Sequence, residues 1–222
     1  MLKRTLMTLG ALATVAAVAM LLEPAPTPAY GDETKKDSDP DKLAIATFAG
    51  GCFWCMEPPF DKIEGVVSTT SGYTGGKIKN PTYKEVSAGT TGHAEALRVE
   101  YDPSRVTFAQ LLEVFWRNVD PTTATRQFCD HGDQYRPEIF FHDDEQKRLS
   151  EASKKFLEES GKFERVAVRV SPAVEFYDAE EYHQDFYKKE PRHYYRYREG
   201  CRRDNRLDEL WKDFTERIVP DE

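Results

Sequence analysis

Apolar positions along the chain fall into short runs whose spacing separates strands from helices. Leu43 to Phe48 is a compact apolar stretch that runs into Gly50 and Gly51, which predicts a strand followed by a turn admitting positive φ. Residues 52 to 62 then predict a helix, Val66 to Tyr73 a second strand and Glu95 to Tyr101 a third. Between the last two, Gly72, Gly75, Gly76, Asn80 and Pro81 mark a long loop. Thr107 caps a helix in which Phe108, Leu111, Leu112, Phe115 and Trp116 recur at helical spacing, closed by Asp120 and Pro121. A strand at Glu138 to Phe141, an amphipathic helix at Asp143 to Ser160, a strand at Val166 to Val170 and helices at Ala179 to Lys189 and Arg206 to Phe214 complete the pattern. The central β-α-β-β-α-β order predicts an α+β fold, a two-layer α/β sandwich with a ferredoxin-like core and C-terminal helical decoration.

The first 42 residues do not share this pattern. Lys3 and Arg4 precede an apolar run from Leu6 to Leu22, the order of an export signal, and Thr27-Pro28-Ala29 offers a cleavage site. Residues 1–29 are therefore expected to be a signal peptide, with an uncleaved inner-membrane anchor as the alternative, since the run is close to spanning length. Residues 30–42, rich in Gly, Pro, Ser and charges, read as a flexible linker. Export would place the folded part, from residue 43 to 222, in an oxidising compartment, the periplasm, and limit membrane contact to the N-terminus.

Composition narrows the function. The 222 residues suit one domain, and 39% hydrophobic with 12% aromatic content is enough for a packed core. Lys plus Arg number 31 against 39 Asp plus Glu, a net charge of -8, so the cationic field that binds DNA or RNA is missing and no nucleic acid is expected. Four cysteines, at 52, 55, 129 and 201, are too few for a disulfide scaffold and leave thiol chemistry or a metal open.

In Gly50-Gly51-Cys52-Phe53-Trp54-Cys55 a cysteine follows a strand and two glycines and starts a helix. Free N–H groups and the helix dipole there favour the thiolate, so Cys52 is expected to be reactive, with Phe53 and Trp54 available as an apolar wall. Cys52 and Cys55 also form a Cys-x-x-Cys pair. Zinc would need two further ligands, and Cys129 with His131 is too tightly spaced to supply them, so no metal is expected. A dithiol oxidoreductase or isomerase acting through Cys52 and Cys55 stands as a rival, as does a peptide-binding module with an aromatic groove. On the strand from Glu95, alternation puts Glu95 on one face with Leu97, Val99 and Tyr101, so a carboxylate faces the core, where desolvation keeps it protonated and fit for a general acid. His93 reads as a structural hydrogen-bonder. The polar stretch from Phe128 to Pro137, with Asp130 and Tyr135, and the loop tyrosine Tyr83 offer groups that could bind a small polar oxygen.

Taken together, GGCFW at 50–54, GYTGG at 72–76, NPTY at 80–83, GHAEA at 92–96, QFCDHGDQYR at 127–136 and EYHQDFY at 181–187 resemble the A-type peptide methionine sulfoxide reductases over about Ile45 to Leu210. The resemblance implies the same α+β sandwich for residues 43–222. It makes Cys52 the nucleophile, Glu95 the acid, Phe53 and Trp54 the walls around the substrate methyl, and Tyr83, Asp130 and Tyr135 the polar ligands. It further implies reduction of the S epimer of free or protein-bound methionine sulfoxide through a sulfenic acid and a disulfide, no bound cofactor, and recycling by an external thioredoxin-like dithiol reductant. A monomer is expected. The family's commonest pattern sets resolving cysteines in a glycine-rich C-terminal tail, which this chain lacks. Cys201, after Gly200, is the first expectation for the resolving thiol. Cys55 is second, because a bridge within one helical turn is strained, and Cys129 is third.

Overall fold

The structure, a computed structural model, describes residues 43–219. The expected signal peptide and linker lie outside the described residues. In chain order the elements are β1 (Ala44–Gly50), α1 (Phe53–Asp61), β2 (Val66–Thr74), α2 (Tyr83–Ser87), β3 (Ala94–Tyr101), α3 (Phe108–Arg117), β4 (Arg126–Gln127), β5 (Asp130–His131), β6 (Pro137–Phe141), α4 (Asp144–Glu159), β7 (Arg169–Pro172), β8 (Phe176–Asp178), α5 (Phe186–Lys189), α6 (Pro191–Gly200) and α7 (Arg203–Trp211).

The main sheet runs β7-β6-β1-β3-β2-β8, and β4 with β5 forms a separate small ribbon. Its four central strands run β6-β1-β3-β2 with each antiparallel to its neighbour, the arrangement expected of the ferredoxin-like core. Side-chain alternation divides the strands between two environments. Ala46 and Phe48 of β1 and Leu97, Val99 and Tyr101 of β3 meet Met56 and Phe60 of α1 and the apolar stripe of α3 in the principal core. Ala49, Ala94, Ala96 and Phe140 form a smaller cluster. Phe48 lies between Phe60, Phe108 and Phe115 with ring centroids 5.2–5.9 Å apart. Thr107 closes the start of α3 with a capping box through Gln110.

The register decides where chemistry can occur. Phe48 pairs with Leu97, so β1 ends beside the start of β3, while Gly50 pairs with Pro137 and Tyr73 with Glu95. The end of β1, the start of β3, the start of β6 and the end of β2 thus meet at one edge of the core. Glu95, on β3, lies there, and the segments that carry Cys52, Tyr135 and Tyr83 adjoin these strand ends.

Four expectations need correction. The strand placed at Val166 to Val170 is displaced to Arg169–Pro172, parallel to β6, because Val166 and Val168 fill the core while the Ala167 N–H donates to the Pro121 carbonyl. No continuous helix spans Ala179 to Lys189. Glu180 accepts from Tyr73 and the Tyr83 N–H, Gln184 bonds both backbone groups of Ser71, and Asp185 takes a left-handed φ of 54°, leaving only α5 helical in the α sense. Bonds to the sheet outcompete the helix here. The last helix starts at Arg203 rather than Arg206. The loop after β2 carries α2, which has the Thr82–Glu85 capping box.

Candidate active site

Cys52 is the N-cap of α1. It has extended backbone angles, φ −54° and ψ 120°, so it stands just outside the helix. The preceding turn requires glycine twice. Gly51 has φ +83° and a Cβ there would lie 2.5 Å from the Gln127 side chain, while a Cβ on Gly50 would meet Met56 Sδ at 2.4 Å. Cys55 sits three residues on, its N–H donating to the Cys52 carbonyl at 3.0 Å, and the two thiols hydrogen-bond each other.

The helix start does not give Cys52 the depressed pKa expected of it. Burial dominates and pushes the thiol up, reinforced by the Cys55 thiol and the Glu95 and Asp130 carboxylates. The lowered partner is Cys55, brought down to about 7 by the hydrogen bond from Cys52, against burial and with help from Arg203 and Arg198. The buried pair therefore shares one proton near neutrality, held on Cys52 and donated toward Cys55.

Glu95 is 2% exposed and its Oε2 accepts the Phe53 N–H at 3.1 Å, which ties the carboxyl to the first residue of α1, next to Cys52. Burial raises its pKa to about 8, so it is protonated at neutral pH. Burial also raises Tyr83, to about 12, and Tyr135 further, with the Glu95 charge the next cause in both, so each hydroxyl keeps its proton. Asp130 is half-buried on β5, raised by burial, and accepts a hydrogen bond from Tyr197.

The aromatic wall is held from the C-terminal part of the chain. Trp54 stacks on Phe186 at 3.7 Å and donates its indole N–H to His183 Nδ1 at 3.0 Å. The His183 ring lies 4.9 Å from Phe53 and 4.4 Å from Tyr83, and burial keeps it neutral with a pKa lowered to about 4. His93 accepts the Gly76 N–H and bonds the Ile78 carbonyl. Sequence reasoning gave no role to His183, Phe186, Tyr197 or Arg203. The one available signal was the aromatic density from Tyr182 to Tyr197.

Cys201 does not stand free beside Cys52. It is bonded to Cys129, with Cα atoms 4.9 Å apart, because the Phe128–Cys129 bend carries one sulfur to the junction of α6 and α7 that carries the other. Cys52 and Cys55 are the free cysteines, both buried.

A buried dithiol at a helix start, set against a neutral carboxyl and an aromatic wall, defines a thiol-dependent oxidoreductase. The sequence relatives make this specific. The family model for peptide methionine sulfoxide reductase matches residues 44–215. The peptide methionine sulfoxide reductase MsrA of Bacillus velezensis is 53% identical over 174 residues, covering 78% of this chain and 98% of the relative. That of Listeria monocytogenes is 51% identical over 173 residues, 78% of this chain and 98% of the relative. Among solved structures, reduced Mxr1 from Saccharomyces cerevisiae superposes with a TM-score of 0.64 at 35% identity, covering 69% of this chain and 88% of that one. Methionine sulfoxide reductase A of Corynebacterium diphtheriae gives 0.60 at 32% identity, with 76% and 84% covered. The chain belongs to the peptide methionine sulfoxide reductase family, and its reaction is the thiol-dependent reduction of methionine sulfoxide.

Proposed function

We propose that Cys52 is the nucleophile and Glu95 the acid in the reduction of the S epimer of free and peptide-bound methionine sulfoxide, with Cys55 as the resolving thiol. The observation that carries this reading is the Phe53 N–H to Glu95 bond of 3.1 Å, which sets a protonated carboxyl beside the N-cap cysteine. The substrate methyl packs against Phe53 and Trp54, and its oxygen takes hydrogen bonds from Tyr83 and Tyr135, with Asp130 completing the polar side.

In the first step Cys52 passes its proton to Cys55 and attacks the sulfoxide sulfur while Glu95 gives a proton to the oxygen. The S–O bond of the substrate breaks as the hydroxyl moves with its pair to the Cys52 sulfur, the transient bond between the two sulfurs breaks with its electron pair left on the substrate sulfur, and methionine departs. Cys52 is then a sulfenic acid. Cys55 attacks that sulfur, and the hydroxide expelled takes the Cys55 proton and leaves as water, giving a Cys52–Cys55 disulfide. Glu95 regains its proton from solvent. An external dithiol protein of thioredoxin type, rather than a bound cofactor, reduces the disulfide.

The N-terminal Lys3-Arg4 and the Leu6–Leu22 run support an exported, periplasmic enzyme that repairs oxidised exported proteins, and the Cys129–Cys201 bridge suits that oxidising compartment. Retention of the run as an inner-membrane anchor is the alternative. The mass of the mature chain from soluble and membrane fractions decides between them, a soluble chain starting at Tyr30 being the expected result.

Separated S and R sulfoxides test the chemistry. The unaltered chain should release methionine from the S epimer alone and Cys52→Ser should release none. Methionine release by Cys52→Ser removes the assignment.

A further inference from the structure

Arg203, the first residue of α7, is 1% exposed. Its Nη2 donates to the Gly50 carbonyl at 3.1 Å and the Asn118 carbonyl at 2.6 Å and lies 3.2 Å from Met56 Sδ. Its guanidinium sits 4.2 Å from the centre of the Phe128 ring, and its buried Nε has no hydrogen-bond partner. Every one of these neighbours is neutral. Among the described residues Arg203 forms no ion pair, whereas Arg198 is bound to Asp204 and Arg206 to Asp120 and Glu209.

A buried guanidinium without an anion is costly, because the hydration it gives up is not replaced by a counter-charge. Arg203 contacts the residue two before Cys52 and the residue just after Cys55, so its charge brackets the dithiol segment. The groups that act on the pair are Asp130 from β5, Glu95 from β3, Tyr83 from α2, Tyr135 before β6, Tyr194, Tyr197 and Arg198 from α6, and Arg203 from α7. Glu95 is neutral at pH 7, the tyrosines are neutral, Asp130 opposes ionisation of the pair, and Arg198 is already paired. Arg203, whose charge also acts on Asp130, is the buried cation without an ion pair that can balance a thiolate.

We propose that Arg203 is a positioning residue for the reaction: its guanidinium is the counter-charge for the single negative charge that Cys52 and Cys55 share. It thereby fixes when Cys55 can take the Cys52 proton and later displace hydroxide from Cys52. This rests on the reading of Cys52 and Cys55 given above. The device also links the two halves of the chain, since Arg203 lies two residues after the Cys129–Cys201 bridge that fastens this segment beside the active site.

The test uses the full chain with the Cys129–Cys201 bridge intact and measures the pH dependence of thiol alkylation by iodoacetamide, with the modified cysteine identified by mass. In the unaltered protein one thiol should ionise near neutrality and be Cys55. Arg203→Gln keeps a neutral hydrogen-bond donor and should raise that midpoint by about one pH unit, cutting the thiolate population at pH 7 about five-fold. Arg203→Lys should restore most of it. In Arg203→Gln, a sulfenic-acid probe should also trap more Cys52 per methionine released, because resolution lags behind the first step. A folded Arg203→Gln with an unchanged alkylation profile overturns the proposal. So does an unaltered protein with no thiol ionising below about 8.5, the ordinary range of a free cysteine, a result that needs no variant to fold. Absence of methionine release from the unaltered chain would instead sink the reading on which the proposal rests.

Discussion

The two pairs of cysteines in this chain stand in opposite environments. Cys52 and Cys55 are 6% and 1% exposed, free, and held at the N-cap and in the first turn of a core helix beside Glu95. Cys129 is exposed and Cys201 half-buried, and they are joined by a bridge that connects the β4–β5 ribbon to the α6–α7 junction. Burial suits the inner pair to chemistry that excludes water, since a sulfenic acid shielded from solvent oxidants meets its neighbouring thiol first. Exposure suits the outer pair to holding a peripheral segment. That segment matters to the inner site, because it delivers Arg203 and Tyr197, the latter bonded to Asp130. In the proposed reaction one pair reacts, and the other keeps the reacting pair's surroundings in place.

The largest effect that separates the pairs is on the first step. Cys52→Ser should lower methionine release by several orders of magnitude in single turnover, whereas Cys129→Ser should leave the chemistry close to that of the parent. Equal losses in both would erase the distinction. Glu95→Gln should come next, with a fall of about 10²–10⁴-fold in the single-turnover rate and loss of the alkaline limb that the parent shows as Glu95 deprotonates near pH 8.

Glu95 should also leave a mark on stability. Its folded pKa is raised, so across the window from the ordinary carboxylate range up to about 8 the folded state holds a proton that the unfolded state has lost. Stability contributed by the neutral carboxyl is present at low pH and is lost as pH rises through that window, on the order of 1 kcal/mol per pH unit. Thermal melts at pH 5 and pH 8 should show this slope in the parent and a flatter one in Glu95→Gln.

Opening the outer bridge by Cys129→Ser or Cys201→Ser should cost about 2–4 kcal/mol in denaturant unfolding, because the loop it closes spans 72 residues. No measurable change would mean that the α6–α7 segment is held by its own packing. The smallest expected effect is at the wall: His183→Phe removes the acceptor for the Trp54 N–H and should cost about 1–3 kcal/mol, read as a raised KM with a smaller change in kcat.

The alternation of Glu95 with Leu97, Val99 and Tyr101 was enough to turn a carboxylate toward the core, and the strand order was enough to name the core topology. Gly50 and Gly51 marked a turn whose close contacts with Met56 and Gln127 show why no larger residue fits. What periodicity could not reveal was long-range. The pairing of Cys129 with Cys201 depends on a ribbon and a helix junction brought together across 72 residues, and no spacing rule encodes that. The broken segment from Ala179 to Lys189 has good helix-forming residues, but Glu180 and Gln184 are drawn to β2 instead. The helix start beside Cys52 is visible in sequence, whereas its burial beside Cys55, Glu95 and Asp130, which raises the thiol, is not.

Peptide mapping after a single turnover tests the central claim most directly. The protein, with its inner thiols reduced and its outer bridge intact, receives one equivalent of the S sulfoxide, is quenched with an alkylating agent and is digested without reduction. One methionine per chain, a new Cys52–Cys55 link and an untouched Cys129–Cys201 link are predicted. Methionine formed while Cys52 remains alkylatable, or a link from Cys52 to Cys201, would contradict the account.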